Sequence, residues 1–199
     1  LGGPSKNYAC SRRYNYEFLT IQDSASSGVT VRTGPNGVLL ISGVFSGGDA
    51  SRIIQVLEQQ NVSLVVLDSP GGVVKEAFSV ADAIRERRIE TYVPHGAECN
   101  SACFFPFMAG ERRLADGDLS VHRPAAADAD DTAPVNDVIR EITSYILKTK
   151  ELSVPDNILN YILESEALVT LSQYEKLQIT TANMRYVNPC NKMALADAM

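Results

Sequence analysis

Apolar and polar positions along the chain follow two periods, and these predict its elements. YEFLTIQ (16–22) and GVTVRTG (28–34) alternate as half-buried strands do. A GPNG turn leads into VLLISGVF (38–45), a continuous apolar run rich in β-branched residues, which reads as a buried strand. SGGDASRIIQVLEQQ (46–60) changes period: Ile53, Ile54 and Leu57 recur at helical spacing, and Asp49 or Ser51 is placed to cap the helix. NVSLVVLDSPGG (61–72) returns to a buried strand that ends in a glycine turn. VVKEAFSVADAIRERR (73–88) is amphipathic through Val74, Ala77, Phe78, Ala81 and Ile84. TYVPHG predicts a short strand, SACFFPFMAG (101–110) a helix, and RRLADGDLSVHRP (112–124) a turn and strand.

Repetition of strand, turn and helix predicts an α/β domain with mostly parallel pairing. Residues 1–16 read as an irregular lead-in, and AAADADDTAP (125–134) as a mobile acidic loop bounded by Pro134. Beyond it, VNDVIREITSYILKTK predicts a helix with Val138, Ile139, Ile142, Tyr145 and Ile146 on its apolar face. SVPDNILNYILE predicts another, with Pro155 near its first position, and TLSQYEKLQI a short third. With 199 residues, 45% of them hydrophobic, the chain suits one well-packed domain spanning 1–199.

Charge narrows the function. A net charge of −6 argues against a global nucleic-acid-binding surface. No apolar run approaches the roughly 20 residues that cross a bilayer, and the start lacks a signal peptide's apolar stretch. Of the four cysteines, Cys10 and Cys190 lie near opposite ends and Cys99 and Cys103 lie together. Four cysteines permit three pairings; Cys10–Cys190 with Cys99–Cys103 is the natural one, and it implies an oxidising compartment, whereas four reduced thiols would suit the cytosol.

Two junctions carry candidate chemistry. DSPGG (68–72) joins a strand to a helix, and paired glycines there free backbone N–H groups to hold a developing oxyanion; an ordinary turn needing positive φ would use the same residues. Ser101 stands at a second strand-to-helix junction, where it is either an N-cap or a nucleophile. A nucleophile needs a base, and the chain holds two histidines, His95 and His122. Cys99, Cys103, His95 and His122 were they ligands would form a zinc site of unfamiliar spacing, and Lys75, on the outward register of its helix, is the candidate for a serine–lysine pair. The cluster RERR (85–88) reads as a solvated helix end.

VVLDSPGG followed by CNSACFFPFMAGERRLADGDLSVHRP resembles the Clp protease proteolytic subunit, and more closely the ClpP-like bacterial periplasmic proteins. The resemblance extends well over residues 38–124 and loosely to about 180. It implies the ClpP/crotonase fold of repeated β-β-α units in one domain. It implies a serine hydrolase, most readily a peptidase acting on peptides or proteins, with Ser101 as nucleophile, His122 as general base, and the Gly72 and Ala102 N–H groups as oxyanion hole. The family's acid falls at Glu164, where the proteolytic subunit has Asp; Glu166 and Asp156 are the fallbacks. It calls for no cofactor or metal, and implies a periplasmic or secreted protein that associates with copies of itself. Pro106 departs from the pattern by removing a helical N–H. The segment 125–148 replaces the family's long handle, and nothing matches a docking surface for an unfoldase ATPase, so an ATP-driven chamber is not implied. Two other readings share the fold: a catalytically silent binding or assembly module, and an acyl-CoA enzyme of the crotonase branch, which leaves a Ser–His pair unexplained.

Overall fold

In the computed structural model, residues 8–9, 15–16, 28–34, 37–124 and 135–181 are described. Two strand pieces, β1 (Tyr8–Ala9) and β2 (Asn15–Tyr16), pair antiparallel. The rest of the 16–22 strand lies outside the described residues, as do the loop 125–134 and both Cys10 and Cys190.

The main sheet has the order β3-β4-β5-β6-β8. Its strands are β3 (Thr30–Thr33), β4 (Val38–Ser42), β5 (Leu64–Asp68), β6 (Glu90–Val93) and β8 (Arg113–Ala115). Only β3 runs antiparallel to its neighbour; the others are parallel, as the alternation of strands and helices requires. All five residues of β5 are buried, which is why Leu64–Leu67 form an unbroken apolar run rather than an alternating one, with the buried Asp68 closing the strand. Helix α1 (Asp49–Gln59) buries Ile53 and Leu57, and α2 (Val74–Glu86) buries Ala77, Val80, Ala81 and Ile84. Each fully buried branched aliphatic contributes about 1.5–3 kcal/mol. Neither expected cap operates on α1: Gly48 holds the N-cap position without a side-chain bond, and Asp49 turns its buried carboxylate elsewhere.

A smaller sheet, β10-β9-β7, comprises β7 (Glu98–Asn100), β9 (Asp118–Val121) and β10 (Val169–Thr170). Strands β7 and β9 are parallel, and β10 is antiparallel to β9. Two isolated bridges extend the pairing past the strand ends: Ser69 to Cys99 ties the end of β5 to β7 of the second sheet, and Phe45 to Gly72 joins the segments that follow β4 and β5. Through the first of them the chain leaving β5 meets the second sheet.

After β7 come a 3-10 turn (Ser101–Cys103) and α3 (Phe104–Met108). Pro106 is the third residue of α3, where an N–H has no intrahelical acceptor, so the N–H it removes costs the helix no bond. Helix α4 (Val135–Glu151) departs from its predicted face. Tyr145 is buried, but Ile139 and Ile142 are 56% and 50% exposed, because the contact with the core is made through Tyr145, Thr149 and the following Leu152. Helix α5 (Asp156–Glu164) buries Ile158 and Ile162, with Pro155 at the N-cap instead of inside the first turn. Helix α6 (Gln173–Ile179) opens with a capping box between Ser172 and Glu175. Among the described residues no helix is long and apolar enough to cross a membrane.

Candidate active site

The sequence places Ser101 between the end of a short strand and a tight turn, and the backbone there is unusual. Ser101 has φ 52°, a left-handed conformation that costs a non-glycine residue energy. Asn100, not Ser101, takes the N-cap position, so the serine side chain is not spent on capping. Cys99 and Cys103 are joined by a disulfide with their Cα atoms 5.1 Å apart, closing a short covalent loop around the serine. Both sulfurs are wholly buried. The bridge also removes both thiolates from any zinc site built with His95 and His122.

His122 follows β9 directly, and its Nε2 lies 2.8 Å from Ser101 Oγ. Both residues are partly buried. His95 is exposed in the turn after β6, and Lys75 is exposed on α2. Of the candidate bases, the tertiary structure thus brings His122 to the serine.

The SPGG turn packs on the other side. A Cβ on Gly71 would stand 2.8 Å from both the Asn100 carbonyl oxygen and Ser101 Cβ, and 3.2 Å from the Ala102 nitrogen. Only glycine permits that approach, and its φ of 108° excludes other residues as well. Gly72 is pressed as tightly against Phe45. The Gly71 carbonyl accepts from Phe45 N–H at 2.8 Å, and Val73 N–H donates to the Phe45 carbonyl at 2.8 Å. In a trans peptide the N–H points opposite to the preceding carbonyl. With Gly71 C=O aimed at Phe45, the Gly72 N–H is aimed away from it. Ser69 Oγ accepts from Gly71 N–H at 3.1 Å and holds the turn from within.

Apolar side chains line a shallow cleft beside the pair, among them Val74, Phe104, Phe105, Tyr145 and Ile162. Phe105 is fixed edge-on against Phe78 at 4.7 Å and against Tyr145 at 5.8 Å. Such contacts add roughly 0.5–1.5 kcal/mol each beyond burial and join α2, α3 and α4 beneath the cleft.

The acid candidates lie differently. Glu164 ends α5 and is exposed, and among the described residues no hydrogen bond or ion pair joins it to His122. Glu166 pairs with Arg123 at 3.0 Å, with its side chain 81% exposed. Asp156 is exposed at the start of α5. The chain around 165–170 nonetheless runs beside the histidine: Arg123 N–H donates to Ser165 O at 2.6 Å, and Val169 pairs with Val121.

Solved structures share this architecture. A mutant of the 1510-N membrane-bound stomatin-specific protease superimposes with a TM-score of 0.54 and 18% identity, over 77% of this chain and 81% of that one. ClpP1 from Listeria monocytogenes superimposes with a TM-score of 0.58 and 16% identity, over 73% and 88%. The fold is ClpP-like. At these identities the likeness carries the fold and not the chemistry. A second mutant of the 1510-N protease, in complex with a substrate peptide, matches with a TM-score of 0.51 and 19% identity, over 71% and 70%. No protein-family model matches the chain, and a search of curated proteins finds no match.

Within the ClpP-like frame, three contributors to the site are not announced as such by the sequence. Phe45 acts through its backbone alone, and its place in an apolar run reads simply as core. Tyr145 and Ile162 reach the cleft from helices more than twenty residues beyond His122. Only their helical periodicity is legible, not their destination.

Proposed function

We propose that this protein is a serine peptidase that works without ATP, with Ser101 as nucleophile and His122 as general base. The observation that carries the reading is the 2.8 Å contact between His122 Nε2 and the Oγ of a serine held at positive φ. Proximity of this kind is what a serine needs to lose its proton as it attacks. Ser101 Oγ adds to the scissile carbonyl while His122 takes the hydroxyl proton. The carbonyl oxygen becomes an oxyanion, which the Gly72 and Ala102 N–H groups are assigned to hold. As the intermediate collapses, the C–N bond breaks and His122 gives its proton to the leaving amine. Water then hydrolyses the acyl-enzyme by the same route. The apolar cleft favours an apolar side chain on the acyl side of the cut bond. The ClpP-like fold, and a structural neighbour held with a substrate peptide, support peptides as the substrate class. An acyl-CoA reaction would leave the Ser–His pair without a task.

A silent binding module is the second reading, favoured by the exposure of Glu164. A fluorophosphonate probe separates the two. Labelling of the wild type and none of Ser101→Ala is the expected result; no labelling of either would leave the silent module. The disulfide around Ser101 supports an oxidising compartment, periplasmic or extracellular, and self-association in keeping with the fold belongs to the same proposal. Thiol titration of denatured protein should find Cys99 and Cys103 unreactive without reductant.

A further inference from the structure

The orientation of one peptide plane decides where the Gly72 N–H points. Phe45 sets that plane, since its N–H takes the Gly71 carbonyl and its carbonyl takes Val73 N–H, both at 2.8 Å. Phe45 is itself followed by a turn with two glycines, Gly47 and Gly48, around which no atom would meet an added Cβ within 4 Å. A segment so open needs anchoring, and two carboxylates outside the cleft supply it.

Asp49 is the first. It is 3% exposed, and its Oδ2 accepts from Ser46 N–H at 2.7 Å and from Val29 N–H at 3.0 Å. Ser46 is the residue after Phe45, so this bond ends the free run of the strand at once. The Arg52 guanidinium pairs with the same carboxylate and also donates to the Val29 carbonyl at 2.9 Å. Asp49 thereby fastens the 46–49 turn to the chain entering β3. Burial alone would push this carboxyl up, but the Arg52 bond and the two backbone N–H groups outweigh it and hold it below its ordinary range.

Glu76 is the second. It lies in the first turn of α2, just past Gly72 and Val73, and its Oε2 accepts from Ala50 N–H at 2.8 Å. Ala50 is in the first turn of α1, where N–H groups lack helical acceptors. The bond closes a ring: Gly72 to Phe45 through the bridge, Phe45 to α1 through the turn, α1 to Glu76, and Glu76 back along α2 to Gly72. A closed ring restricts hinge motion of the glycine turn more than any one of its bonds.

We infer that Asp49 and Glu76 are positioning residues for the Gly72 amide, setting its aim at the oxyanion without touching substrate. The role of that amide rests on the peptidase reading above; its orientation does not. The test therefore has two arms. In the first, the residual dipolar coupling of Gly72 N–H is measured in the full chain for wild type, Glu76→Ala and Glu76→Gln. Glu76→Ala should shift that coupling while couplings in β5 stay put, and Glu76→Gln, which keeps an acceptor, should restore it. An unchanged Gly72 coupling in Glu76→Ala overturns the inference, whatever the activity. The second arm uses a peptide boronate with an apolar terminal residue against the corresponding product peptide. Removing an oxyanion donor costs about 100- to 1,000-fold, so misdirecting one in Glu76→Ala should weaken boronate binding by roughly ten-fold. Product binding should be unchanged, and Glu76→Gln should recover the loss. Equal loss for both ligands would mark a merely structural role and overturn the inference. If wild type fails to bind boronate while the coupling shifts as expected, the peptidase reading falls and the positioning of the amide stands. Asp49→Asn serves as a second perturbation of the same ring, expected to shift the Gly72 coupling in the same direction as Glu76→Ala.

Discussion

Gly71→Ala tests the close approach of the SPGG turn to Ser101 at the candidate site. The new Cβ would lie 2.8 Å from Ser101 Cβ and 2.8 Å from the Asn100 carbonyl oxygen. Carbon atoms rest at about 3.5–4.0 Å, so one side must retreat by roughly 0.7 Å or more. The backbone cannot yield cheaply, since Gly71 is bonded to Phe45 through its carbonyl and to Ser69 Oγ through its N–H. Positive φ adds about 1–2 kcal/mol for any L side chain. Gly48→Ala isolates that second contribution, because Gly48 has φ 90° and nothing within 4 Å of an added Cβ. Gly71→Ala should therefore cost about 3 kcal/mol, and Gly48→Ala about 1 kcal/mol. For a chain of this size the melting temperature should fall by roughly 6–12 °C and 2–4 °C respectively. Activity should separate further. A displacement near 1 Å at the reacting atoms costs on the order of 100-fold, so fluorophosphonate labelling of Gly71→Ala should slow by about that factor while Gly48→Ala labels nearly as fast as wild type. Circular dichroism melts and gel-based labelling rates suffice. Equal melting temperatures for the two variants, with labelling of Gly71→Ala within two-fold of wild type, would refute the claim that the SPGG turn and Ser101 are locked together.

Three further outcomes are expected. Ser101→Gly should abolish labelling yet raise stability by about 1 kcal/mol, because glycine relieves the positive φ; a fall in melting temperature would show that the backbone there is unstrained. Glu164→Gln should leave labelling within about three-fold, as should Glu166→Gln and Asp156→Asn, since none of the three is bonded to His122; a loss of roughly 100-fold or more in the first alone would show that Glu164 moves onto the imidazole during turnover. Asp49 is depressed below its ordinary value of 3.8, so its contribution is complete above that pH and is lost as pH falls through the lower folded value; melting temperature against pH should have a shallower acid limb in Asp49→Asn, and parallel curves would refute this.

Much of the frame was legible in the chain alone. The strands Val38–Ser42 and Leu64–Asp68 inside the apolar stretches 38–45 and 61–72, the helical spacing of Ile53, Leu57, Ala77, Ala81 and Ile84, and the glycine turn at 71–72 follow from local periodicity and from conformations only glycine adopts, although Val44 and Asn61 at the edges of those stretches are exposed. Ser101 and His122 were legible as candidates through residue type and the resemblance of their flanking motifs. Their contact was not, because it is made across a parallel strand pair, Asn100 beside Ser120, that no local pattern encodes. Strand β7 has three residues and β10 two, too short to show a period. The exposed face of α4 looked apolar enough for the core because amphipathicity states that a face is available, not what covers it. The positive φ at Ser101 and the aim of the Gly72 N–H are likewise decisions of the tertiary structure. Both arise from bonds and close approaches between segments distant in sequence, held by a backbone at Phe45 and carboxylates at Asp49 and Glu76 whose side-chain types alone announce nothing.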